Sequence, residues 1–251
     1  MGSASQQLYV QFFYRVLKIK EHFHLSNVVI AYFSKTQFLS GGKFFIKFSN
    51  KLFEQFSYQK GFLLNAGEFS GTSSSWGIGF TILTSNKNNV IDSNKKFLLE
   101  VKETNMNGIV NVENHVIDNL SQEKFLSNWV RETIPKNLEY LSKDTYPTFK
   151  GPFKVNEFFK TTPPRMPKQF LGYAWNKGNN VEKSERETAL FSATWRDGHG
   201  FPIIKEDFER VMLNFAIRKA TKHSWINDKD NYHKPNSNFV GTNEYNRFMI
   251  Q

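Results

Sequence analysis

The sequence predicts an α/β sheet with one antiparallel edge strand, followed by an α+β region. Within the first 86 residues, apolar positions recur alternately at helical spacing and in short strand-like runs. The resulting order of helix, strand, helix, strand, strand is typical of an α/β sheet. From residue 87 onward, a polar stretch rich in Asn and Lys is followed by shorter, more scattered candidates for both element types. We therefore expect two domains, residues 1–86 and residues 87–251.

The composition limits the classes of protein and partner. With 39% hydrophobic residues over 251 positions, the chain has enough apolar side chains for a substantial core. Lys and Arg total 33 against 23 Asp and Glu, a formal charge of +10 that favours a polyanionic partner without establishing one. The chain has no cysteine, which excludes disulfides, thiolate metal sites and a cysteine nucleophile. No apolar run reaches the ~18 to 20 residues that cross a bilayer and no signal peptide is recognisable, so we expect a cytoplasmic protein without a membrane partner.

The first predicted helix runs from Ser5 to about Phe23. Its apolar stripe has helical spacing, with charged residues among the polar positions, and Tyr9, Phe13 and Leu17 widen it. A helix with so broad a stripe needs a sheet or other helices to lie on. The expected buried residues are Leu8, Phe12, Val16, Ile19 and Phe23.

The next segment, Val28 to Phe33, is apolar on both faces, which is typical of a strand inside a parallel sheet. A loop from Ser34 to Gly42 separates it from a second helix, predicted from Phe44 to Phe56. The stripe of that helix consists of Phe45, Phe48, Leu52 and Phe56.

The stretch from Gly61 to Ser85 contains two apolar runs, Phe62–Ala66 and Ile78–Leu83, joined by a loop of small and hydroxyl-bearing residues. Hairpin connections usually have about two to five residues, and longer ones are often functional. This loop also carries Phe69 and Trp76, which are costly to leave in water. Because ligands of α/β sheets bind beyond the carboxyl ends of the strands, we expect this loop and the one that starts at Ser34 to open on the same rim.

The later chain gives weaker signals. A short helix is expected at Leu120–Arg131, strands at Gln169–Trp175 and Ala189–Trp195, and a stiff connection at Thr161–Pro167, which has three prolines. The chain from Asn227 to Gln251 reads as polar and loop-like.

Two parts of the later chain are candidates for DNA contact. The loop that contains Arg196 and His199 could read bases, although a hydrogen bond to the backbone is the more ordinary role for His199, whose spacing does not indicate a metal site. A helix is predicted over residues 205–222, with acidic residues at its start and Arg218, Lys219 and Lys222 at its end. The basic end could touch phosphates, but complementing the helix dipole explains it without DNA. The stripe expected to be buried is Phe208, Val211, Met212 and Phe215.

Four stretches form a recognisable succession: Ala-Ser-Gln-Gln-Leu-Tyr-Val-Gln-Phe (4–12), Val-Val-Ile-Ala-Tyr-Phe-Ser-Lys-Thr-Gln-Phe-Leu (28–39), Gly-Phe-Leu-Leu-Asn-Ala-Gly-Glu-Phe (61–69) and Trp-Gly-Ile-Gly-Phe-Thr-Ile-Leu (76–83). With these stretches, residues 3 to 86 resemble the second half of N6-adenine DNA methyltransferases, of the type in which restriction and modification are often fused. A weaker similarity continues through residues 189–192, 197–200 and 221–230.

The resemblance implies that residues 1–86 form the carboxyl-terminal half of a Rossmann-like methyltransferase sheet and that residues 87–251 recognise the target sequence. Two motifs of that family are missing. The only Pro-Pro, Pro163-Pro164, follows Thr162 rather than Asn, and Gly77 and Gly79 lie in a strand-like run rather than in a cofactor loop. We therefore expect no catalytic residue on this chain. S-adenosylmethionine is expected to bind only when an amino-terminal half supplies both motifs.

In relatives, the loop between the last two strands helps to hold the base that is extruded from the duplex. Phe69 matches that position, Trp76 is a second candidate for base stacking, and Ser34 and Lys35 would face the same cleft. Stacking a base on an aromatic ring is worth about 1–3 kcal/mol, comparable with the cost of flipping it. Two other interpretations stay open: Phe69 as a plug for its own hairpin, and Trp76 as a core residue.

Three functions remain compatible with the sequence. The first is the carboxyl-terminal part of a site-specific adenine-N6 methyltransferase of a restriction-modification system, inactive without an amino-terminal half. The second is a non-catalytic module derived from a methylase that binds double-stranded DNA. The third is an α/β protein with no role in DNA binding.

Overall fold

The computed structural model describes residues 2–86, 95–141, 166–182, 184, 186–192 and 199–250. They divide into two compact units. The first unit comprises Met1–Gln122 and Ser224–Asn231, and the second comprises Glu123–His223 and Tyr232–Gln251. The sequence placed a boundary after residue 86, whereas strand pairing continues the first unit well beyond it. The predicted connection at residues 161–167 lies outside the described residues up to position 165.

In the described residues, the first unit contains a mixed five-stranded sheet, and the α/β prediction is confirmed at this level. The spatial order is β1-β3-β2-β4-β5, with β3 antiparallel to both of its neighbours, β2 parallel to β4, and β4 antiparallel to β5. The strands are β1 (Val29–Ser34), β2 (Phe56–Asn65), β3 (Gly77–Ser85), β4 (Lys95–Asn105) and β5 (Gly108–Asn119).

Two predictions about this sheet were wrong. The antiparallel strand β3 lies inside the sheet rather than at its edge, because it returns from β2 and inserts between β1 and β2. As a result, β1 is an edge strand of the described sheet rather than an inner parallel strand. Gly77 and Gly79 suit this close insertion: a Cβ atom on Gly79 would collide with the Thr36 side chain, and one on Gly77 would lie 2.8 Å from Leu63.

Helices α1 (Leu8–His22) and α2 (Ile46–Gln55) pack on one face of this sheet. In α2 the predicted stripe is confirmed, since Phe48 and Leu52 are fully buried together with the flanking Phe45 and Phe56. In α1 the prediction was wrong. The buried residues are Val10, Phe13 and Leu17, while the expected stripe is largely exposed: Leu8 66%, Phe12 48%, Ile19 42% and Phe23 64%.

Aromatic contacts explain which face of α1 turns toward the sheet. The Phe13 ring lies 5.0 Å from Tyr32 of β1 and 5.2 Å from Phe38, which belongs to a short 3-10 turn after β1. Burying these rings together turns the neighbouring stripe outward. The 3-10 turns within the described ranges are Gly2–Gln6, Thr36–Phe38, Ala66–Glu68 and Gln122–Lys124.

The opposite face of the sheet carries a row of aromatic rings. Cross-strand register aligns Phe33, Phe80 and Phe62 on β1, β3 and β2. The Phe33 and Phe80 centroids are 4.6 Å apart, and those of Phe80 and Phe62 are 6.1 Å apart. Phe33 is 50% exposed. Neither α1 nor α2 covers this face, because both pack with the strand residues that point the other way.

The second unit contains a small antiparallel sheet and three α-helices within its described residues. The strand order is β7-β6-β8. The expected helix at 205–222 is present in shortened form as α4, whereas the expectation of a loop-like carboxyl-terminal stretch was wrong because α5 forms there. The elements are α3 (Leu126–Arg131), β6 (Gly172–Asn176), β7 (Thr188–Phe191), β8 (Phe201–Ile203), α4 (Phe208–Ala220) and α5 (Asn243–Ile250).

The buried face of α4 is partly polar. Val211, Leu213, Asn214 and Arg218 are its buried residues, whereas Phe208, expected in the stripe, is 47% exposed. Arg218, expected at a basic surface, is fully buried. Its Nε donates to Asn214 Oδ1 at 2.9 Å, one terminal nitrogen donates to the Gly178 carbonyl at 3.1 Å, and its guanidinium lies 4.8 Å from the Tyr232 ring. Burial lowers the pKa of Arg218 to about 10.

Candidate functional site

Four side chains that the sequence singled out line a single open groove in the first unit. Phe69, Trp76, Ser34 and Lys35 border a space of about 500 Å³. They come from the ends of β1 and of the β2–β3 connection, so the two loops do share one rim of the sheet. The remaining lining residues are Gln7, Leu8, Tyr9, Phe12, Tyr32, Phe33 and Ile78.

The loop that carries Phe69 and Trp76 is held by hydrogen bonds to itself. Asn65 fixes both of its ends, since its Oδ1 accepts from the Gly67 N–H at 2.7 Å and its Nδ2 donates to the Ser74 carbonyl at 3.1 Å. The Thr72 hydroxyl donates to the carbonyls of Ala66 and Phe69. These short side chains, which form turns by bonding to nearby backbone, give a long connection a defined shape.

Both aromatic side chains of this loop are half-buried, and each has a specific neighbour. Phe69 meets Phe33 edge-on, with centroids 5.8 Å apart. The Lys35 Nζ lies 4.8 Å from the Trp76 centroid, a cation–π contact. Trp76 lies outside the buried core, so the interpretation of Trp76 as a core residue is not favoured. The groove thus combines aromatic walls with an ammonium group, a set that suits a planar base attached to a phosphate.

Ser34 contributes less than its position suggested. The residue is buried, and its Oγ donates to the carbonyl of Lys35 at 3.3 Å. Its hydroxyl is therefore bonded to the neighbouring backbone. Of the two rim residues, Lys35 is the one that places a charge at the groove.

Sequence reasoning missed several groove residues, among them Tyr9 and Phe33. Tyr9 was treated only as widening a helical stripe, but it lines the groove and its hydroxyl is buried without a hydrogen-bond partner in the described residues. Burial raises the pKa of Tyr9 well above its usual range. Phe33 was expected inside a parallel sheet. Its position directly before Ser34 was the available signal, since the last residues of a strand border the rim.

The segment Ser224–Asn231 belongs to the first unit, although the sequence places it far from the sheet. Trp225 and Ile226 pack against the first core, and Asn231 Nδ2 donates to the Ser40 carbonyl at 3.0 Å. His115 of β5 lies 3.1 Å from Asp230. Desolvation lowers the pKa of His115, but the hydrogen bond and charge of Asp230 outweigh it and raise the pKa overall. This segment was one of the weaker matches in the resemblance.

The DNA-binding candidates of the second unit are exposed or lie outside the described residues. Arg196 lies outside the described residues. The His199 side chain is exposed, and its backbone carbonyl accepts a hydrogen bond of 2.7 Å from the Tyr173 hydroxyl. Lys219 and Lys222 are exposed at and just after the end of α4, with the Lys219 Nζ 5.7 Å from the Phe215 centroid. Their role in DNA contact stays a prediction.

One carboxylate and two lysines on β2 and β4 form an ion-pair cluster. Glu100 accepts hydrogen bonds from Lys102 and Lys60, both at 2.6 Å, and these bonds hold the pKa of Glu100 below its usual range. Both ammonium groups lie 5.2 Å from the Phe62 centroid. Within the described residues, no group of three His, Asp or Glu side chains is placed to hold a metal ion.

None of the helices in the described ranges combines the length and apolarity that crossing a bilayer requires. Comparisons with protein-family models, with curated proteins and with solved structures find no match for this chain.

Proposed function

We propose that this chain is the carboxyl-terminal part of a DNA adenine-N6 methyltransferase of a restriction-modification system. In this proposal the chain supplies one wall of the base pocket and the region that recognises the target sequence. The substrate is double-stranded DNA. An amino-terminal half supplies the S-adenosylmethionine loop and the Asn-Pro-Pro-aromatic motif, and methyl transfer requires both halves. The observation that carries the proposal is the convergence of Phe69, Trp76 and Lys35 on one groove.

The topology supports this assignment of the rim. Strands β1 and β2 are both antiparallel to β3, so they run parallel to each other and their carboxyl ends meet at one edge of the sheet. Ligands of α/β sheets bind at such an edge. The loops that follow β1 and β2 are those that carry Lys35 and Phe69.

The chemistry of the groove fits one flipped nucleotide. A flipped adenine needs a stacking surface to offset the few kcal/mol spent on leaving the duplex, and Phe69 or Trp76 would supply about 1–3 kcal/mol of it. The Lys35 ammonium would pair with an adjacent phosphate. Methyl transfer also needs acceptors for the adenine amino group, which the family places on the missing motif. The proposal therefore requires that the chain alone neither methylates DNA nor binds S-adenosylmethionine.

Reconstitution tests the proposal. The full chain is mixed with a recombinant amino-terminal half of an adenine-N6 methyltransferase that ends after its Asn-Pro-Pro-aromatic motif, and N6-methyladenine in unmethylated phage DNA is measured by mass spectrometry. We expect methylation from the mixture and none from either half. Calorimetry that showed saturable binding of S-adenosylmethionine to the chain alone would contradict the proposal.

The variant Phe69→Ala tests the role of the groove in the same assay. We expect a loss of about tenfold or more in methylation rate, which corresponds to the ~1–3 kcal/mol of one base stack. Phe208→Ala, which removes an equally large and partly exposed ring from α4, is the matched control and should leave the rate unchanged. Equal rates for the two variants would remove Phe69 from the base pocket.

A non-catalytic DNA-binding module is the second candidate, and the formal charge of +10 favours it. Affinity carried by phosphate contacts falls steeply with salt. If this is the whole function, gel shifts should show salt-dependent binding of duplex DNA by the chain alone, and Phe69→Ala should barely change it. Binding that is absent or insensitive to salt would exclude this candidate.

A further inference from the structure

One face of the five-stranded sheet is accessible within the described residues of the first unit. Burial alternates along β3, where Thr81 and Leu83 are fully buried and Phe80 and Ile82 are only half-buried. Successive side chains of a strand point to opposite faces of a sheet. The buried set therefore faces the helices, and the other set faces away from them. On the neighbouring β1, Phe33 of this second face is 50% exposed.

Three phenylalanines on this accessible face form a row across adjacent strands. The aromatic row, defined as Phe33, Phe80 and Phe62, follows the register of β1, β3 and β2. The planes of Phe80 and Phe62 differ by only 9°. Contiguous apolar patches that remain accessible usually mark interaction sites. Because the three rings are aligned by strand register and touch one another, the row indicates a surface that takes a ligand with several flat groups.

The charges at both ends of the aromatic row are positive. At one end, Lys60 and Lys102 each place an ammonium group 5.2 Å from the Phe62 centroid. Both bind the single carboxylate of Glu100 at 2.6 Å, so the three side chains together carry a net positive charge. At the other end, beyond Phe33, the rim carries the ammonium group of Lys35. Strands β1 and β3 between these ends contain no charged residue.

An apolar row of rings between ammonium groups matches the chemistry of a single nucleic-acid strand. Unpaired bases stack on aromatic side chains whatever their sequence, while lysines follow the phosphates. Open sheets with aromatic residues on adjacent strands bind single strands in this way. The bases of an intact duplex are stacked on one another, so a duplex has no free base faces to offer the row.

We propose that the aromatic row is a binding platform for single-stranded nucleic acid, with bases stacked on Phe33 and Phe80 and phosphates held by Lys60 and Lys102. This surface differs from the groove, because neither Phe80 nor Phe62 lines the groove and Phe33 alone borders both. The groove would take one nucleotide flipped out of a duplex, whereas the row takes a run of unpaired nucleotides. The assignment of the row does not depend on the methyltransferase function.

Fluorescence anisotropy with labelled oligothymidylate and oligouridylate tests the platform on the full chain. Strands of about twenty nucleotides exceed the ~4 to 16 nucleotides of one typical single-strand site. We expect saturable binding of both at about 50 mM salt, with an affinity that falls as salt is added. A preference for either strand also supports the proposal and identifies DNA or RNA as the source of the ligand. No binding of either strand at low salt would overturn it.

Variants of Phe80 test whether the ring itself carries the binding. Phe80→Leu should weaken binding of both oligonucleotides by about fivefold or more, because a branched aliphatic side chain gives a base no flat surface. Phe80→Tyr keeps the ring and should retain the affinity. Phe208→Leu, at a ring of α4 that is 47% exposed, is the matched control and should change nothing. Equal affinities for Phe80→Leu and Phe208→Leu would overturn the proposal. Circular dichroism checks that each variant folds.

The salt dependence tests the phosphate contacts. Lys102→Gln leaves Glu100 bonded to Lys60 and removes the excess charge beside Phe62. The slope of log affinity against log salt should become shallower by about 0.7, the value for one phosphate contact on a single strand. Lys47→Gln, at an exposed position of α2 in the helical layer, is the matched control and should leave the slope unchanged. An unchanged slope for Lys102→Gln would remove the lysines from the platform and overturn the proposal.

Photocrosslinking locates the bound strand. With oligouridylate that contains thiouridine, we expect the crosslinked peptides to include Phe33, Phe62 or Phe80. Crosslinks confined to other parts of the chain would overturn the proposal. Sedimentation of the chain alone as a dimer that Phe80→Leu dissociates would also overturn it, since a second copy would then occupy the row.

The platform and the methyltransferase function fail in different ways. Single-strand binding that Phe80→Leu weakens, in a chain that never methylates DNA when mixed with an amino-terminal half, keeps the platform and removes the methyltransferase function. Methylation by the mixture without any single-strand binding by the chain keeps the function and removes the platform.

Discussion

The cores of the two units differ in what they bury. In the first unit the core is almost entirely apolar, and its centre is a set of touching aromatic rings: Phe13, Phe38 and Phe48 have centroids 5.2 to 6.2 Å apart. Among the described residues of the second unit, the largest fully buried side chain is Arg218, bonded to Asn214 and to the Gly178 carbonyl. The stability of the first unit therefore depends mainly on buried apolar area, whereas that of the second depends on an apolar cluster and also on the hydrogen bonds of Arg218.

The difference teaches which changes each unit tolerates. An apolar core responds to lost volume in proportion to the cavity that is left. A buried polar cluster responds to lost partners, because an unpaired buried group costs about 1–3 kcal/mol. Three predictions sharpen the comparison, in order of expected size.

The largest effect is expected for Phe38→Ala in the first unit. Phe38 is fully buried and lies near Tyr9, Phe13 and Phe48. Removing its ring should lower the free energy of unfolding of this unit by about 3–5 kcal/mol. Native-state hydrogen exchange at the β3 amides measures the loss. Phe38→Leu, which keeps most of the volume, should cost far less, and similar losses for both would argue against a packing cause.

A smaller effect is expected for Arg218→Met in the second unit. The methionine keeps much of the side-chain length but leaves Asn214 Oδ1 without this donor, and the Gly178 carbonyl keeps only the longer bond from Asn176 Nδ2 at 3.3 Å. We expect a loss of about 1–3 kcal/mol, read from exchange at the amides of α4. The same substitution at the exposed Arg15 should change neither unit. A neutral or stabilising Arg218→Met would show that desolvation of the guanidinium costs as much as its hydrogen bonds return.

The smallest effect is a pH dependence confined to the second unit. Desolvation raises the pKa of the buried Asp207 to about 6, from an ordinary 3.8, although its Oδ1 accepts from the Ile204 N–H at 2.9 Å. Because the folded-state pKa is the higher one, the stabilising contribution is complete below pH 3.8 and is lost as the pH rises through about 6.

Asp207→Asn should therefore flatten the dependence of stability on pH between about 4 and 7, measured by urea denaturation across that range. The first unit, followed through its own amides, should not respond to this substitution. A pH profile identical to that of the unchanged chain would mean that Asp207 does not titrate in this window.

The sequence was sufficient to predict the elements whose apolar residues leave one possible buried face. The α2 stripe was correct because Phe48 and Leu52 have apolar partners on one side only. The groove residues Phe69 and Trp76 could also be predicted from the sequence, because large aromatic side chains are unusual in a loop of small polar residues.

The remaining features depend on tertiary context that one sequence does not contain. The choice of buried face on α1 is set by the contact of Phe13 with Tyr32 and Phe38, and both candidate stripes are equally apolar. The strand β1 is apolar on both faces, a pattern that does not distinguish a buried inner strand from the edge strand that it is in the described sheet. Arginine is usually a surface residue, and the burial of Arg218 depends on its bonds to Asn214 and Gly178 and on its contact with the Tyr232 ring.

The hydrogen bonds within the loop between β2 and β3 affect the entropy that the loop would lose on binding a nucleotide. Asn65 and Thr72 already hold the backbone around Phe69. An incoming ligand would have little chain to immobilise there, so little conformational entropy is lost on binding. Loosening this loop through Asn65→Ala should accordingly speed the departure of a bound base while leaving its arrival almost unchanged.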